Sequence, residues 1–182
     1  MAIADSKPTR AVYQEGPRMG SMTASPSPLL ARSAQAYRTI AWAGLLTGTL
    51  DITAAFVEAG LEGRTPFRLL QGIAGGMLGM SSFQGGLATA ALGAFFHFLI
   101  VTTAAALFYL ASRKLKFLVK HAIASGLLYG VAVYTFMNYI VLPLSAYHLK
   151  IALPRVASLK DVIILMFLVG LPISLMVRKF SR

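Results

Sequence analysis

Asp51 stands in the middle of the apolar stretch AGLLTGTLDITAAFVEAG, Ala43 to Gly60, among Leu45, Leu46, Leu50, Ile52, Phe56 and Val57. His97 holds a similar place in the next long apolar run, and Tyr134 and Asn138 sit four residues apart in a third. A carboxyl group and an imidazole placed together can pass protons or hold a cation. At a helical advance of 100° per residue, Gly44, Thr47, Gly48, Asp51, Ala55 and Glu58 fall within roughly one 100° arc. Asp51 therefore belongs to a stripe of small and polar residues, opposite the Leu/Ile/Phe face. In a membrane helix that stripe faces protein.

His97 shares its own face with Gly86, Ala90, Gly93 and Ala104, small residues that admit a close partner. Both ionisable residues lie near the middle of antiparallel helices, so a direct or water-bridged contact between them is allowed. Two readings stay open. In one the pair is a proton-relay or cation site; in the other it is an interhelical hydrogen bond, of the kind averaging about 0.6 kcal/mol in membrane proteins. Asn138 and Tyr134 carry the same ambiguity, and Glu58 sits on the Asp51 side two turns later, near the outer boundary.

Other chemistry is excluded or unsupported. The chain has no Cys, so it offers no disulfide, thiolate, iron–sulfur cluster or Cys-ligated zinc. Its three histidines, His97, His121 and His148, fall at three different depths. Haem ligation by two of them would need a dimer pairing His97 with its copy. There is no Ser/His/Asp set, HExxH or phosphate loop, and we expect no enzyme, no metal and no cofactor.

The elements that position these residues follow from composition. The 182 residues are 57% hydrophobic and 13% charged, against about 45–50% and 25% in ordinary globular domains. The excess lies in blocks long enough for a hydrocarbon core, which takes roughly 20 helical residues. The expected fold is an all-α integral membrane protein. Its spans are about 39–59, 87–111, 122–144 and 162–177, forming a domain over 38–182 behind a disordered basic cytoplasmic tail at 1–37.

A fifth apolar run, PFRLLQGIAGGMLGMSSFQGG, begins at Thr65–Pro66, a capping residue followed by proline at the first helical position. Its helix, about 66–80, is too short to cross comfortably and is rich in glycine. Counting it as a span would send RKLKFLVK outside, against the positive-inside bias. We therefore expect a half-inserted or interfacial helix on the outer side, between spans one and two, with irregular backbone after it.

The net charge of +11 sits at the ends of apolar blocks, in the N-terminal segment, Arg113–Lys120 and Arg178–Arg182. That pattern favours an anionic lipid surface over nucleic acid and places both termini in the cytoplasm. Arg113–His121 reads as a positive-inside loop on lipid or as a docking site for a cytoplasmic partner. Trp42, Tyr109, Tyr139 and Tyr147 read as interface anchors. Pro143 is expected to end or kink the third span.

Spans one and three share GLLTG at Gly44–Gly48 and GLLYG at Gly126–Gly130. Each is a GxxxG spacing that lets helix backbones approach closely, within one chain or in a homo-oligomer. Gly72 and Gly76 of the half-helix admit the same use. They also suit a broken helix exposing its dipole to a substrate, with Gln71, Ser81 and Ser82 as polar lining.

AGLLTGTLDITAAF, RTPFRLLQGIAGGMLG, FQGG…ALGAFFHFLI, GLLYG…MNYIVLPLS and VGLPISL together resemble a family of small bacterial inner-membrane proteins, YagU-like in pattern. The resemblance covers about Arg38–Arg178. It implies location and fold but carries no biochemical activity, and this chain has Leu165 and Met166 where the pattern often places a histidine. Two functions follow as expectations: a transport, permeation or proton-coupled step through Asp51 and His97, or a structural or accessory role through helix packing and partner binding.

Overall fold

A computed structural model describes residues 28–146 and 159–180, with side chains from residue 33. Residues 1–27, His148, Tyr147 and Arg182 lie outside it, and with them most of the expected tail. Among the described residues the structure is helical and contains no strand.

Helix α1 runs Pro28–Leu61, so residues 28–37, expected to belong to the tail, are helix. The reason is local: proline is tolerated in a first turn, and LLARSAQAYR holds neither glycine nor a second proline. Helix α2 spans Pro66–Leu78. Its cap is as the sequence predicts, with Thr65 Oγ1 accepting from the Arg68 backbone N–H at 3.2 Å. The following Gly79–Gln84, expected to be irregular, is a 3-10 helix. Gly79 and Gly86 adopt φ of 63° and 58°, left-handed values that suit glycine, and they bracket this turn.

Helix α3 covers Gly86–Lys114, α4 Lys116–Lys120 and α5 Ala122–Phe136. A π-helical turn at Met137–Val141 joins α5 to α6, Leu142–Leu144. After the undescribed segment, α7 at Leu159–Ile164 passes through a second π turn, Leu165–Gly170, into α8 at Leu171–Phe180. Four of these stretches are long and apolar enough to cross a membrane: Ser33–Leu61, Gly86–Lys114, Ala122–Leu144 and Leu159–Phe180.

Both π turns have the same cause. Pro143 and Pro172 lack an N–H, and each ring crowds the carbonyl four residues earlier. The preceding turn widens, so the Leu142 N–H bonds Met137 O and the Leu171 N–H bonds Met166 O, five residues back. Pro143 thus perturbs its span as expected, and the helix ends one residue later, at Leu144.

The helices form an arc in which α2 packs on α3, α3 on α1, α1 on the fourth span, and the fourth span on α5. Glycines set the closest approaches. A methyl on Gly44 would meet Thr102 Cα at 2.9 Å, and one on Gly126 would meet Gly170 O at 2.9 Å. Gly130 and Gly170 face each other across the same crossing. Gly76 differs from expectation, because a methyl there would meet nothing within 4 Å. Its carbonyl instead accepts from the Ala146 N–H at 2.8 Å. The opposite outer surface carries exposed Leu45, Phe95, Leu107, Leu128, Phe136 and Phe167.

A buried apolar cluster of Ala43, Ala105, Phe108, Val169, Ile173 and Val177 fills one half of the bundle. Tyr129 joins it, with its hydroxyl donating to Ala104 O at 2.7 Å and its ring edge-on to Phe108. At that end Gln35 Nε2 donates to Phe180 O at 2.6 Å, tying the start of α1 to the end of α8. The basic residues Lys120 and Arg178 gather there with His121. The opposite half holds the cavity.

Candidate functional site

The space left between α3 and α5 is a cavity of about 360 Å³, walled also by α1, α2 and the fourth span. Asp51 and Glu58 reach it from α1, His97 from α3, Tyr134 from α5, Asn138 from the first π turn and Asp161 from α7. Five of the six polar candidates read from the sequence therefore meet in one place. The sixth, Thr47, is fully buried but does not line the cavity, and its hydroxyl has no hydrogen-bond partner among the described residues.

His97 is held by α1. Its Nε2 lies 2.9 Å from Gly48 O. A carbonyl only accepts, so Nε2 carries the hydrogen, and a neutral ring then keeps Nδ1 as its acceptor. The small residue one turn before Asp51 makes this contact possible, because Gly48 brings α3 close and bares its carbonyl. The ring of Phe98 packs edge-on to His97, with centroids 5.3 Å apart. No hydrogen bond or ion pair joins Asp51 to His97 among the described residues. The two share the cavity, but the imidazole bonds backbone one turn away from the carboxylate.

Asp51 accepts no hydrogen bond from any described residue. Glu58, by contrast, pairs with Lys160, which links α1 to α7. Asn138 donates from Nδ2 to Tyr134 O at 3.0 Å, a bond within its own helix that leaves its amide oxygen unbonded by described residues. Tyr134 is only 9% exposed, and its hydroxyl bonds no described residue. Both π turns border the space through Met137, Asn138, Leu165 and Val169, and widened turns of this kind recur at functional sites.

The remaining wall is aliphatic, with Ile73, Ile100, Val133 and Ile164 among its residues. The expected polar lining from the glycine-rich helix is not there. Gln71 Nε2 bonds Gly86 O and Thr89 Oγ1 at 3.2 and 3.3 Å, fastening α2 to the start of α3. Ser82 is buried beside that network, Ser81 is exposed, and of α2 only Ile73 reaches the cavity.

Asp161 is the functional candidate that sequence reasoning missed. It falls just outside the expected fourth span of about 162–177, lies in the first turn of α7 and lines the cavity at the end where Glu58 sits. An acid just inside a helix start was the available signal. No protein family, curated protein or solved structure matches this chain.

Proposed function

We propose that this is a multi-pass membrane protein carrying out a transport, permeation or proton-coupled step at the Asp51/His97 cavity. The observation that carries the reading is the meeting of Asp51, His97, Tyr134 and Asn138, contributed by separate elements, around one cavity with Glu58 and Asp161 at one end. A carboxylate without a hydrogen-bond partner beside an imidazole with a free acceptor is suited to accept, pass or hold a cation.

The surroundings support the membrane reading. Four stretches have the length and apolarity to span, and their outward faces carry large aliphatic and aromatic side chains. Helix α2, with 13 residues, would reach about 20 Å, short of a hydrocarbon core of about 30 Å. We read it as half-inserted or interfacial, at the end of the bundle that holds Glu58 and Arg64. The basic end faces the cytoplasm and anionic lipid by the positive-inside bias. The YagU-like pattern assigns the membrane to the inner membrane of a bacterium.

Reconstitution into liposomes with an internal pH-sensitive dye tests the step. The expected result is a flux that Asp51→Asn abolishes while folded protein is recovered. No flux with the unaltered chain, or equal flux with Asp51→Asn, would overturn it. The second reading, a structural or accessory protein, draws on the His97–Gly48 bond, which is interhelical glue whatever else the ring does. It predicts no flux from the unaltered chain or from any Asp51 variant.

A further inference from the structure

We infer that the cavity binds an amphipathic organic cation, an alkyl- or arylammonium with an apolar body. This deepens the function proposed above and rests on its membrane setting. The charge distribution is the first ground. The chain holds 17 Lys and Arg against six Asp and Glu, yet Asp51, Glu58 and Asp161 line one cavity with His97, and among the described residues no Lys or Arg side chain does. Lys160 beside it is engaged with Glu58. Asp51, deeper along α1 than Glu58 and partly buried, has no hydrogen bond or ion pair among the described residues, and a carboxylate withdrawn from water gains from a counter-charge.

Tyr134 supplies the second, independent ground. It is about nine-tenths buried, it lines the cavity, and its hydroxyl is unbonded by described residues. A phenol lining the same cavity as the carboxylates offers an ammonium its aromatic face.

Volume and wall chemistry then separate an organic cation from a bare ion. A hard metal ion takes about six or more oxygen ligands, and among the described residues no cluster of three or more His, Asp or Glu is placed to hold one. A cavity of about 360 Å³ walled by Ile73, Ile100, Val133 and Leu165 instead fits a hydrocarbon body, with the carboxylates taking the charged head.

There is also a route from the bilayer. A groove of about 480 Å³ on the outside of α1 and the fourth span, lined by Leu50, Val57 and Leu168, shares Glu58 and Ile164 with the cavity. The Glu58–Lys160 pair stands at that junction. Lys160 lines the groove as well, so an amphipathic cation lying in it reaches Asp51 by displacing Lys160 from Glu58.

The test is equilibrium dialysis of the purified full chain in detergent against radiolabelled benzyltrimethylammonium, with empty micelles as baseline. Neopentylbenzene, the uncharged isostere, serves as competitor. We expect saturable, stoichiometric binding that excess unlabelled cation displaces and neopentylbenzene does not. Asp51→Asn should weaken it at least about tenfold, the scale of one charged contact. Tyr134→Leu, which removes the aromatic face, should weaken it several-fold, and Glu62→Gln, whose side chain pairs with Arg64 outside the cavity, should bind as the unaltered chain does.

Binding no greater than that of empty micelles, or equal binding by Asp51→Asn, overturns the inference. Should Asp51→Asn not fold, Tyr134→Leu and the neopentylbenzene competition decide: unchanged affinity in that variant, or full displacement by the neutral isostere, also overturns it. Binding without flux in liposomes keeps the site and removes the transport step. Flux without binding removes the organic cation and leaves a proton-coupled step.

Discussion

His97 makes one hydrogen bond, to Gly48 O, and its replacement by leucine measures that bond with little change in volume. We expect His97→Leu to lose on the order of 0.6 kcal/mol, and at most about 1.7, in detergent unfolding, the range for interhelical bonds in membranes. A loss of several kcal/mol would show that the ring holds more than α1 against α3. Thr47 gives the opposite sign. Its hydroxyl is fully buried without a partner among the described residues, a situation that costs roughly 1–3 kcal/mol. Thr47→Val keeps the shape and removes the orphaned oxygen, so stability should rise by about 1 kcal/mol. A drop would reveal a bonding role for the hydroxyl. Each stood on a face of small residues in its own span, and nothing in their spacing separated the bonded one from the orphan.

At the scale of elements, glycine spacing alone did not tell packing from permissiveness. Gly126, Gly130 and Gly170 lie where α5 crosses the fourth span, with backbone where a side chain would go. Overpacking there costs typically about 1–3 kcal/mol, and Gly130→Val should lower folded yield and thermal stability accordingly. Gly76 sits in helix with open space beside it. Gly76→Ala should be neutral or stabilise α2, by up to about 1 kcal/mol through helix propensity. Equal damage from both substitutions would contradict the packing described here. The π turns were legible only in part. Pro143 reads as a perturbation in the sequence and Pro172 does not, although both stand in Leu-Pro-x-Ser, residues 142–145 and 171–174, and in each the Ser hydroxyl donates to the Leu carbonyl, at 2.7 and 2.9 Å. That the widened turns would border the cavity depended on where the two helices met.

The whole molecule has a polar asymmetry: Lys120, His121 and Arg178 gather at one end, Glu58, Glu62, Lys160 and Asp161 at the other. Because the chain has no cysteine, single cysteines report its orientation directly. Arg113→Cys should react with a membrane-impermeant maleimide only after the cytoplasmic face is opened, and Glu62→Cys should react in intact cells. The reverse pattern would invert the topology. An apolar core at one end and a cavity at the other also divides labour within the bundle. The Phe108, Ile173 and Val177 cluster secures the helices, which leaves α3 and α5 free to stand apart around Asp51.

The sequence by itself determined the helical architecture, the four stretches long enough to span, the cap at Thr65 and the small-residue stripe that carries Asp51. These depend on local composition and on a period of 3.6 residues, both of which are written in the order of side chains. It also singled out Asp51, His97, Tyr134 and Asn138. Only the tertiary structure decided that they share one cavity, that His97 bonds Gly48 instead of Asp51, that Glu58 is taken by Lys160, and that Asp161 belongs with them. Those outcomes turn on how far each helix is rotated and where it crosses its neighbour. That geometry is set by contacts between residues distant in the chain, which no local pattern encodes.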